Sequence, residues 1–144
     1  MKRPILGITM GDPFGNGPEI TVRALADKSV YDRCRPLGVG DAASMAYALR
    51  VAEKVSGIRL ELHPVKTVAE ARFEYGTIDL LDMGLVEPGN IPDTAGQDQP
   101  QPFGVGACAL GGEASFRYVE KVIQLALAGE VDATVTTALS KEAL

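Results

Sequence analysis

The sequence predicts an α/β fold in which alternating strands and helices build a layered, parallel or mixed sheet. Short apolar runs of strand length alternate along the chain with longer segments whose apolar residues recur at helical spacing. Glycine, proline and acidic residues lie at most of the junctions, where they favour turns and helix starts. Because such alternation implies right-handed crossovers between parallel strands, we predict that residues 1–144 form a single α/β domain.

Five short segments have the composition of strands. Residues 5–9 are largely apolar, which favours a central position, whereas residues 58–65 alternate between apolar and polar side chains, which favours one exposed face. His63 falls on that polar face, and we interpret it as an exposed strand residue rather than a metal ligand, because a lone histidine offers no ligand set. The predicted strands are residues 5–9, 36–39, 58–65, 78–83 and 133–136.

The remaining periodic segments are predicted as helices. Asp41 is placed to cap the second of them and Gly57 to end it. Thr67 and Glu70 have the spacing of a capping box at the start of the third. Residues 84–103 are rich in proline and glycine and show no regular element. The predicted helices are residues 18–26, 42–56, 67–73 and 107–128.

A glycine-rich turn, residues 10–17, joins the first strand to the first helix. Gly11, Gly15 and Gly17 lack side chains, so a ligand could approach the main chain there. The first amides of the following helix attract anions, and Pro18 suits its first turn. Gly17 could serve as its N-cap. The turn is therefore a candidate site for a phosphate or a dinucleotide.

Two carboxylates, Asp12 and Glu19, flank this turn and could bind a hydroxyl or an amine of a substrate, or simply cap a backbone amide. The spacing is not a dinucleotide fingerprint, since Ile20 stands where G-x-G-x-x-G needs its third glycine. It is not a P-loop either, because no Gly-Lys-Ser/Thr follows. On spacing alone, a ligand-binding loop and a purely structural tight turn both remain open.

A second polar loop follows the last predicted strand. It carries Thr136, Thr137, Ser140 and Lys141. Because ligands of open parallel sheets bind beyond the carboxyl ends of the strands, the two loops could face each other across one cleft. A lysine ammonium beside hydroxyls suits a phosphate or a carboxylate. A solvated lysine and ordinary strand threonines are the alternative.

The two loops together resemble those of one enzyme family. Gly-Asp-Pro-Phe-Gly-Asn-Gly-Pro-Glu, residues 11–19, closely resembles the G-D-P-x-G-x-G-P-E start of the 4-hydroxythreonine-4-phosphate dehydrogenase family, which includes D-threonate and D-erythronate phosphate dehydrogenases. Thr-Thr-Ala-Leu-Ser-Lys, residues 136–141, resembles its Thr-Ala-Pro-Ile-Asn/Ser-Lys loop, as does the helix–strand segment before it. The chain departs from the family in having Thr137 for Ala, Ala138 for Pro and Asn16 where Ile is usual. These departures leave the exact substrate open.

The resemblance implies a fold like that of isocitrate and isopropylmalate dehydrogenases and an activity with NAD or NADP. The reaction implied is oxidation, with decarboxylation, of a phosphorylated four-carbon hydroxy acid such as 4-phosphooxy-L-threonine, in pyridoxal phosphate biosynthesis. A divalent metal (Zn, Mg or Co) assists it. Carried onto this sequence, the resemblance makes Lys141 and Asp12 catalytic candidates. The substrate- or cofactor-binding candidates are Gly11, Gly15, Gly17, Glu19, Thr136, Thr137 and Ser140.

We predict no metal ligand in this chain. The family's metal-binding histidines and its Gly-His-Thr substrate motif match positions beyond Leu144. Since family members are longer, we expect the chain to be a truncated part of a two-domain enzyme and inactive alone. The resemblance further implies a homodimer.

Composition limits the partners of the protein. The 14 basic and 19 acidic residues give a net charge of −5, which argues against nucleic-acid or anionic-membrane binding. Cys34 and Cys108 lack metal or redox spacing, which is typical of reduced thiols in a cytosolic protein. The sequence shows neither a signal peptide nor a long apolar span, so we expect a cytoplasmic protein with a phosphorylated small-molecule substrate.

Three alternatives remain open at this stage. A D-threonate or D-erythronate 4-phosphate dehydrogenase competes with the pyridoxine-pathway enzyme, and nothing in these residues decides between them. A non-catalytic, phosphometabolite-binding fragment is favoured by Ala138 and Asn16. A relative acting on an unphosphorylated 2-hydroxy acid is disfavoured by Pro13 and Phe14, since those enzymes have a shorter loop.

Overall fold

The computed structural model describes residues 2–91 and 108–142. Its strands are β1 (Ile5–Thr9), β2 (Arg35–Gly40), β3 (Glu61–Val65), β4 (Thr77–Asp82) and β5 (Ala133–Thr136). They form one five-stranded sheet in the order β3-β4-β2-β1-β5, and every neighbouring pair is parallel. The predicted α/β class with a parallel sheet is therefore confirmed, and the strands all lie where the sequence predicts them.

The third strand begins later than predicted, at Glu61 instead of residue 58. Gly57 ends the preceding helix with a left-handed φ of 67°, as predicted, and the Ile58 amide still donates to the Ala52 carbonyl. Ile58 therefore still belongs to the end of that helix, and the sheet starts only at Glu61.

The helices are α1 (Gly17–Leu25), α2 (Lys28–Arg33), α3 (Ala42–Ser56) and α4 (Ala109–Leu127). Helix α2 was not predicted; its signal is the N-cap Asp27, whose carboxylate accepts from the Ser29 amide at 2.8 Å. Position 107, the predicted start of the last helix, lies outside the described residues, as do residues 92–103 of the predicted irregular segment. Residues 84–91 contain a 3₁₀ turn, Pro88–Asn90, which the prediction missed.

The predicted helix at residues 67–73 is wrong: only a 3₁₀ turn, Val68–Glu70, forms there. Glu70 reaches back to the Lys66 amide rather than to Thr67, so the predicted capping box is absent. The amides of Arg72 and Phe73 donate to the buried Asp79 carboxylate, which takes them out of any helical hydrogen bonding.

The interpretation of His63 as an exposed strand residue is correct about the strand and wrong about the exposure. Its side chain is 23% exposed, and Nδ1 lies 2.7 Å from a carboxylate oxygen of Asp79, directly opposite on β4. Asp79 is 2% exposed and is satisfied by this histidine and by two backbone amides. The pair is a structural polar cluster inside the sheet, away from the loops at its carboxyl edge.

The helices divide between the two faces of the sheet. Helices α1 and α3 pack against each other, while α4 packs on β1, β2 and β5. Right-handed crossovers place α4 on the opposite face, because the chain moves across the sheet in the other direction from β4 to β5. All four residues of the edge strand β5 are exposed. Among the described residues, no helix has the length and apolar character that crossing a bilayer would require.

Candidate functional site

The two predicted loops leave the sheet side by side. Strands β1 and β5 are parallel neighbours, with Thr9 opposite Thr136, so the chain continues from both strands at the same carboxyl edge. The Asp12 amide donates to the Ala138 carbonyl at 3.2 Å, and the Thr137 hydroxyl donates to the Thr9 carbonyl at 2.8 Å. The geometry that the sequence predicted, with Asp12 and Lys141 on adjacent loops, is therefore present.

Two of the three glycines of the first loop, Gly11 and Gly17, are required by the chain itself. At Gly11, whose φ is +70°, a Cβ would lie 2.7 Å from the Thr137 hydroxyl and would collide with the Ala138 carbonyl oxygen. At Gly17 a Cβ would lie 2.8 Å from the same hydroxyl and would collide with the Met10 carbonyl oxygen. The space that these two glycines leave is filled by the second loop and by the first loop's own backbone. Ligand binding at Gly11 and Gly17 stays a prediction.

Asp12 has a structural part in this arrangement. It is 7% exposed, and its carboxylate accepts from the Phe14 amide at 2.9 Å while its carbonyl accepts from the Gly15 amide at 3.0 Å. Its Oδ1 lies 2.7 Å from where a Cβ would stand on Gly111, in the first turn of α4. The carboxylate thus shapes the turn and packs against α4, where the helix dipole favours negative charge. A catalytic role for Asp12 stays a prediction.

The start of α1 differs from the prediction at the cap. Asn16, and not Gly17, is the N-cap, and Gly17 is the first helical residue, with Pro18 following it as expected. Glu19 is partly exposed and forms an ion pair with Arg23 one turn later, at 3.0 Å. Its carboxylate therefore has a partner within the helix, and its role in binding stays a prediction.

The residues of the second loop divide into an inner and an outer group. The hydroxyl of Thr137 points inward to β1, whereas Thr136 and Lys141 are exposed and Ser140 is half-buried. Within residues 2–91 and 108–142, Lys141 forms no ion pair. The loop therefore presents a hydroxyl and an ammonium to solvent at the rim, which suits an anionic group.

A buried acid that the sequence predicts to be a helix cap organises the neighbouring loops. Asp41 occupies the N-cap position of α3, but its carboxylate makes no capping bond. Instead it accepts from the Leu85 and Val86 amides, at 2.6 and 2.9 Å, and from the Tyr118 hydroxyl of α4. Burial first, and then the charge of Asp41, raise the pKa of Tyr118 well above its usual value, so this phenol stays a donor. The only sign of the role of Asp41 in the sequence is its position directly after β2.

Asp82 supplies the contact that Asp41 was expected to make. One of its carboxylate oxygens accepts from the Ala42 amide at the start of α3, at 3.1 Å, and from the Gly84 amide at 3.2 Å. Together the two acids fix the loops after β2 and β4 at the edge where the glycine-rich loop and the Lys141 loop meet.

The described residues do not fit a divalent metal. Nowhere in residues 2–91 and 108–142 do three or more histidine, cysteine, aspartate or glutamate side chains come together as a possible ligand set. His63 is committed to Asp79 within the sheet. No step of a metal-assisted reaction can therefore be assigned to these residues.

Fold and loops together define the class of the chain: an α/β domain in which two polar loops meet at the carboxyl ends of parallel strands. Comparison with known proteins is more specific. A D-threonate 4-phosphate dehydrogenase from Cupriavidus necator is 42% identical over 141 residues, which are 98% of this chain and 38% of that protein. A Symbiobacterium thermophilum protein, given the same name provisionally, is 44% identical over 142 residues, which are 99% of this chain and 38% of that protein. No protein-family model matches.

Solved structures agree. The crystal structure of a 4-hydroxythreonine-4-phosphate dehydrogenase from Burkholderia phymatum superposes with a TM-score of 0.83 at 36% identity, covering 99% of this chain and 38% of that one. The resemblance predicted from the two loops is therefore confirmed in sequence and in fold. The chain spans about 38% of the length of these relatives.

Proposed function

We propose that the chain is part of a dehydrogenase that oxidises a phosphorylated four-carbon hydroxy acid with NAD or NADP. The observation that carries the proposal is the joining of the glycine-rich loop to the Lys141 loop at one carboxyl edge of a parallel sheet. Ligands of open α/β sheets bind at that edge. The names of the relatives supply the substrate class and the type of reaction.

D-threonate 4-phosphate is the substrate we favour. The relatives named for it are 42–44% identical to this chain, whereas the solved 4-hydroxythreonine-4-phosphate dehydrogenase is 36% identical. The second substrate, 4-phosphooxy-L-threonine, would place the enzyme in pyridoxal phosphate biosynthesis. Both carry a phosphate and a carboxylate, so either presents an anionic group to Lys141.

Within this proposal the chain's own residues bind and orient the substrate. The Lys141 ammonium contacts the phosphate or carboxylate, and Ser140 and Thr136 lie beside it at the rim. Asp12 holds the conformation of the turn that supports them. Any ligands of the implied divalent metal come from outside the described residues, and no step is assigned to them.

The span of about 38% of the relatives supports a further proposal, that the 144 residues are one α/β unit of a larger two-domain enzyme. We propose a homodimer for that enzyme, as the resemblance implies, and a cytoplasmic location, which the lack of metal or redox spacing at Cys34 and Cys108 favours. We expect the 144-residue chain by itself to reduce neither NAD nor NADP with D-threonate 4-phosphate. A rise in absorbance at 340 nm with this chain alone would contradict the proposal that it is incomplete.

Calorimetry with D-threonate 4-phosphate tests the site. A charge-assisted contact is worth about 1.5 kcal/mol, so Lys141→Ala should weaken binding about tenfold. Lys28→Ala is the matched control, because Lys28 is an exposed lysine whose ion pair lies at the start of α2, before β2 and away from the carboxyl edge. Equal losses in both variants, or none in Lys141→Ala, would remove Lys141 from the site.

A non-catalytic phosphate-binding unit is the second candidate. It is favoured by the filling of the Cβ space at Gly11 and Gly17 by the chain itself, which gives these glycines a structural reason that needs no dinucleotide. Inorganic phosphate separates the two candidates in the same calorimeter. If it binds as tightly as D-threonate 4-phosphate, the site recognises phosphate alone; a preference for the hydroxy acid supports the dehydrogenase.

A further inference from the structure

We propose that Thr137 is a positioning residue whose hydroxyl holds the Lys141 loop against the glycine-rich loop and so sets the place of the Lys141 ammonium. This inference deepens the proposed function and rests on it for the role of Lys141. It replaces the predicted role of Thr137 as a direct substrate contact.

The hydroxyl is used inside the fold. The Thr137 Oγ1 donates to the Thr9 carbonyl at 2.8 Å, immediately beyond the last paired residues of β1 and β5. This side-chain hydrogen bond continues the pairing of β1 with β5 by one residue.

The hydroxyl of Thr137 packs closely against two glycines of the first loop. Oγ1 lies between two glycines of the first loop, 2.7 Å from the position of a Cβ on Gly11 and 2.8 Å from that on Gly17. Both positions are empty only because these residues are glycine. The hydroxyl of Thr137 and the two glycines therefore form one packed contact between the loops.

Lys141 follows this contact after a short stretch without helix or strand. Two described hydrogen bonds anchor the loop to β1 and its turn: the Thr137 hydroxyl on Thr9, and the Ala138 carbonyl that accepts from the Asp12 amide at 3.2 Å. Loss of the first leaves the second to hold the loop alone. The place of the ammonium should then be less well defined, and protection of the Asp12 amide should fall.

Hydrogen exchange of the Asp12 amide tests the coupling without any ligand. Thr137→Val keeps the shape and removes the hydroxyl, and a neutral hydrogen bond is worth about fivefold in an equilibrium, so exchange should quicken about fivefold. Thr137→Ser should restore protection. Thr137→Ala gives a second variant without the hydroxyl and is smaller, in case the valine does not fit. Unchanged exchange in both variants that lack the hydroxyl would overturn the proposal.

Binding of D-threonate 4-phosphate tests the link to Lys141. Thr137→Val should weaken binding severalfold in the wild-type background and should have no further effect in Lys141→Ala. Thr137→Ser should bind as the wild type does. An equal loss in both backgrounds would show that Thr137 does not act through Lys141. If neither the 144-residue chain nor the longer enzyme of which we propose it is a part binds D-threonate 4-phosphate, the proposed function fails, while the exchange result still decides whether Thr137 couples the loops.

Discussion

Replacing Gly17 by alanine distinguishes the two explanations of the glycine-rich loop. A Cβ at this position would lie 2.8 Å from the Thr137 hydroxyl and 2.9 Å from the Met10 carbonyl carbon, and it would collide with the Met10 carbonyl oxygen. Two of these three atoms belong to the backbone, so the clash cannot be relieved by a rotamer change. Overpacking of this kind costs about 1–3 kcal/mol, and we expect the upper end.

The direction of the stability change in Gly17→Ala distinguishes the two explanations. Alanine is a better helix former than glycine by up to about 1 kcal/mol, so a glycine kept only for ligand access would give a more stable variant when replaced. We expect instead a midpoint of thermal unfolding about 5–10 °C below that of the wild type, given about 2–4 °C per kcal/mol for a domain near this size. Circular dichroism during heating and urea unfolding measure it.

Gly89→Ala is the matched control, because a Cβ there meets nothing within 4 Å and the backbone φ of Gly89 is not left-handed. It should change stability by no more than about 0.5 kcal/mol. If Gly17→Ala is as stable as Gly89→Ala while losing affinity for D-threonate 4-phosphate, the packing explanation is refuted and the glycine serves the ligand.

Two further predictions follow from buried groups. Tyr118→Phe removes the donor to the buried Asp41 carboxylate and should cost about 1.5–3 kcal/mol in urea unfolding. Because the folded-state pKa of Tyr118 is raised, the stability that Tyr118 contributes is complete below about pH 10, the usual tyrosine value, and is lost as the pH rises above that. The Tyr118→Phe variant should therefore lose less stability than the wild type between about pH 9 and 11. The same dependence of stability on pH in both proteins would contradict this. Burial raises the pKa of the Cys34 thiol, so a thiol reagent at pH 8 should label the half-buried Cys108 first. Mass spectrometry identifies the labelled cysteine. If Cys34 is labelled before Cys108, its burial is not kept in solution.

Local patterns account for what the sequence predicted well. β1 and β5 each match their predicted bounds, and α3 does so with its end at Gly57, because strand length, apolar period and a left-handed glycine are properties of a few consecutive residues. The parallel direction of the strands also follows from alternation and from the handedness of crossovers. The position of both loops at the carboxyl edge was predictable for the same reason, whereas the pairing of β5 with β1 that joins the loops was not.

Failures of the prediction occur where a side chain has a distant partner. The helix expected at residues 67–73 is lost to Asp79, and His63 is drawn inward by the same carboxylate. Asp41 leaves its capping role for amides more than forty residues away, and Tyr118 joins it from α4. No period or spacing encodes such partners, because they depend on which strands become neighbours.

By itself, the sequence determined the class of fold, the positions of the strands and the two loops that meet at their carboxyl edge. Only the tertiary structure decided how those loops use their residues: the space at Gly11 and Gly17 is taken by the second loop and by the first loop's own backbone, and the Thr137 hydroxyl turns inward to Thr9. The physical reason is that a missing side chain leaves the same gap whether a ligand or another part of the chain fills it. Because β5 packs beside β1, the loop that follows β5 lies against these glycines.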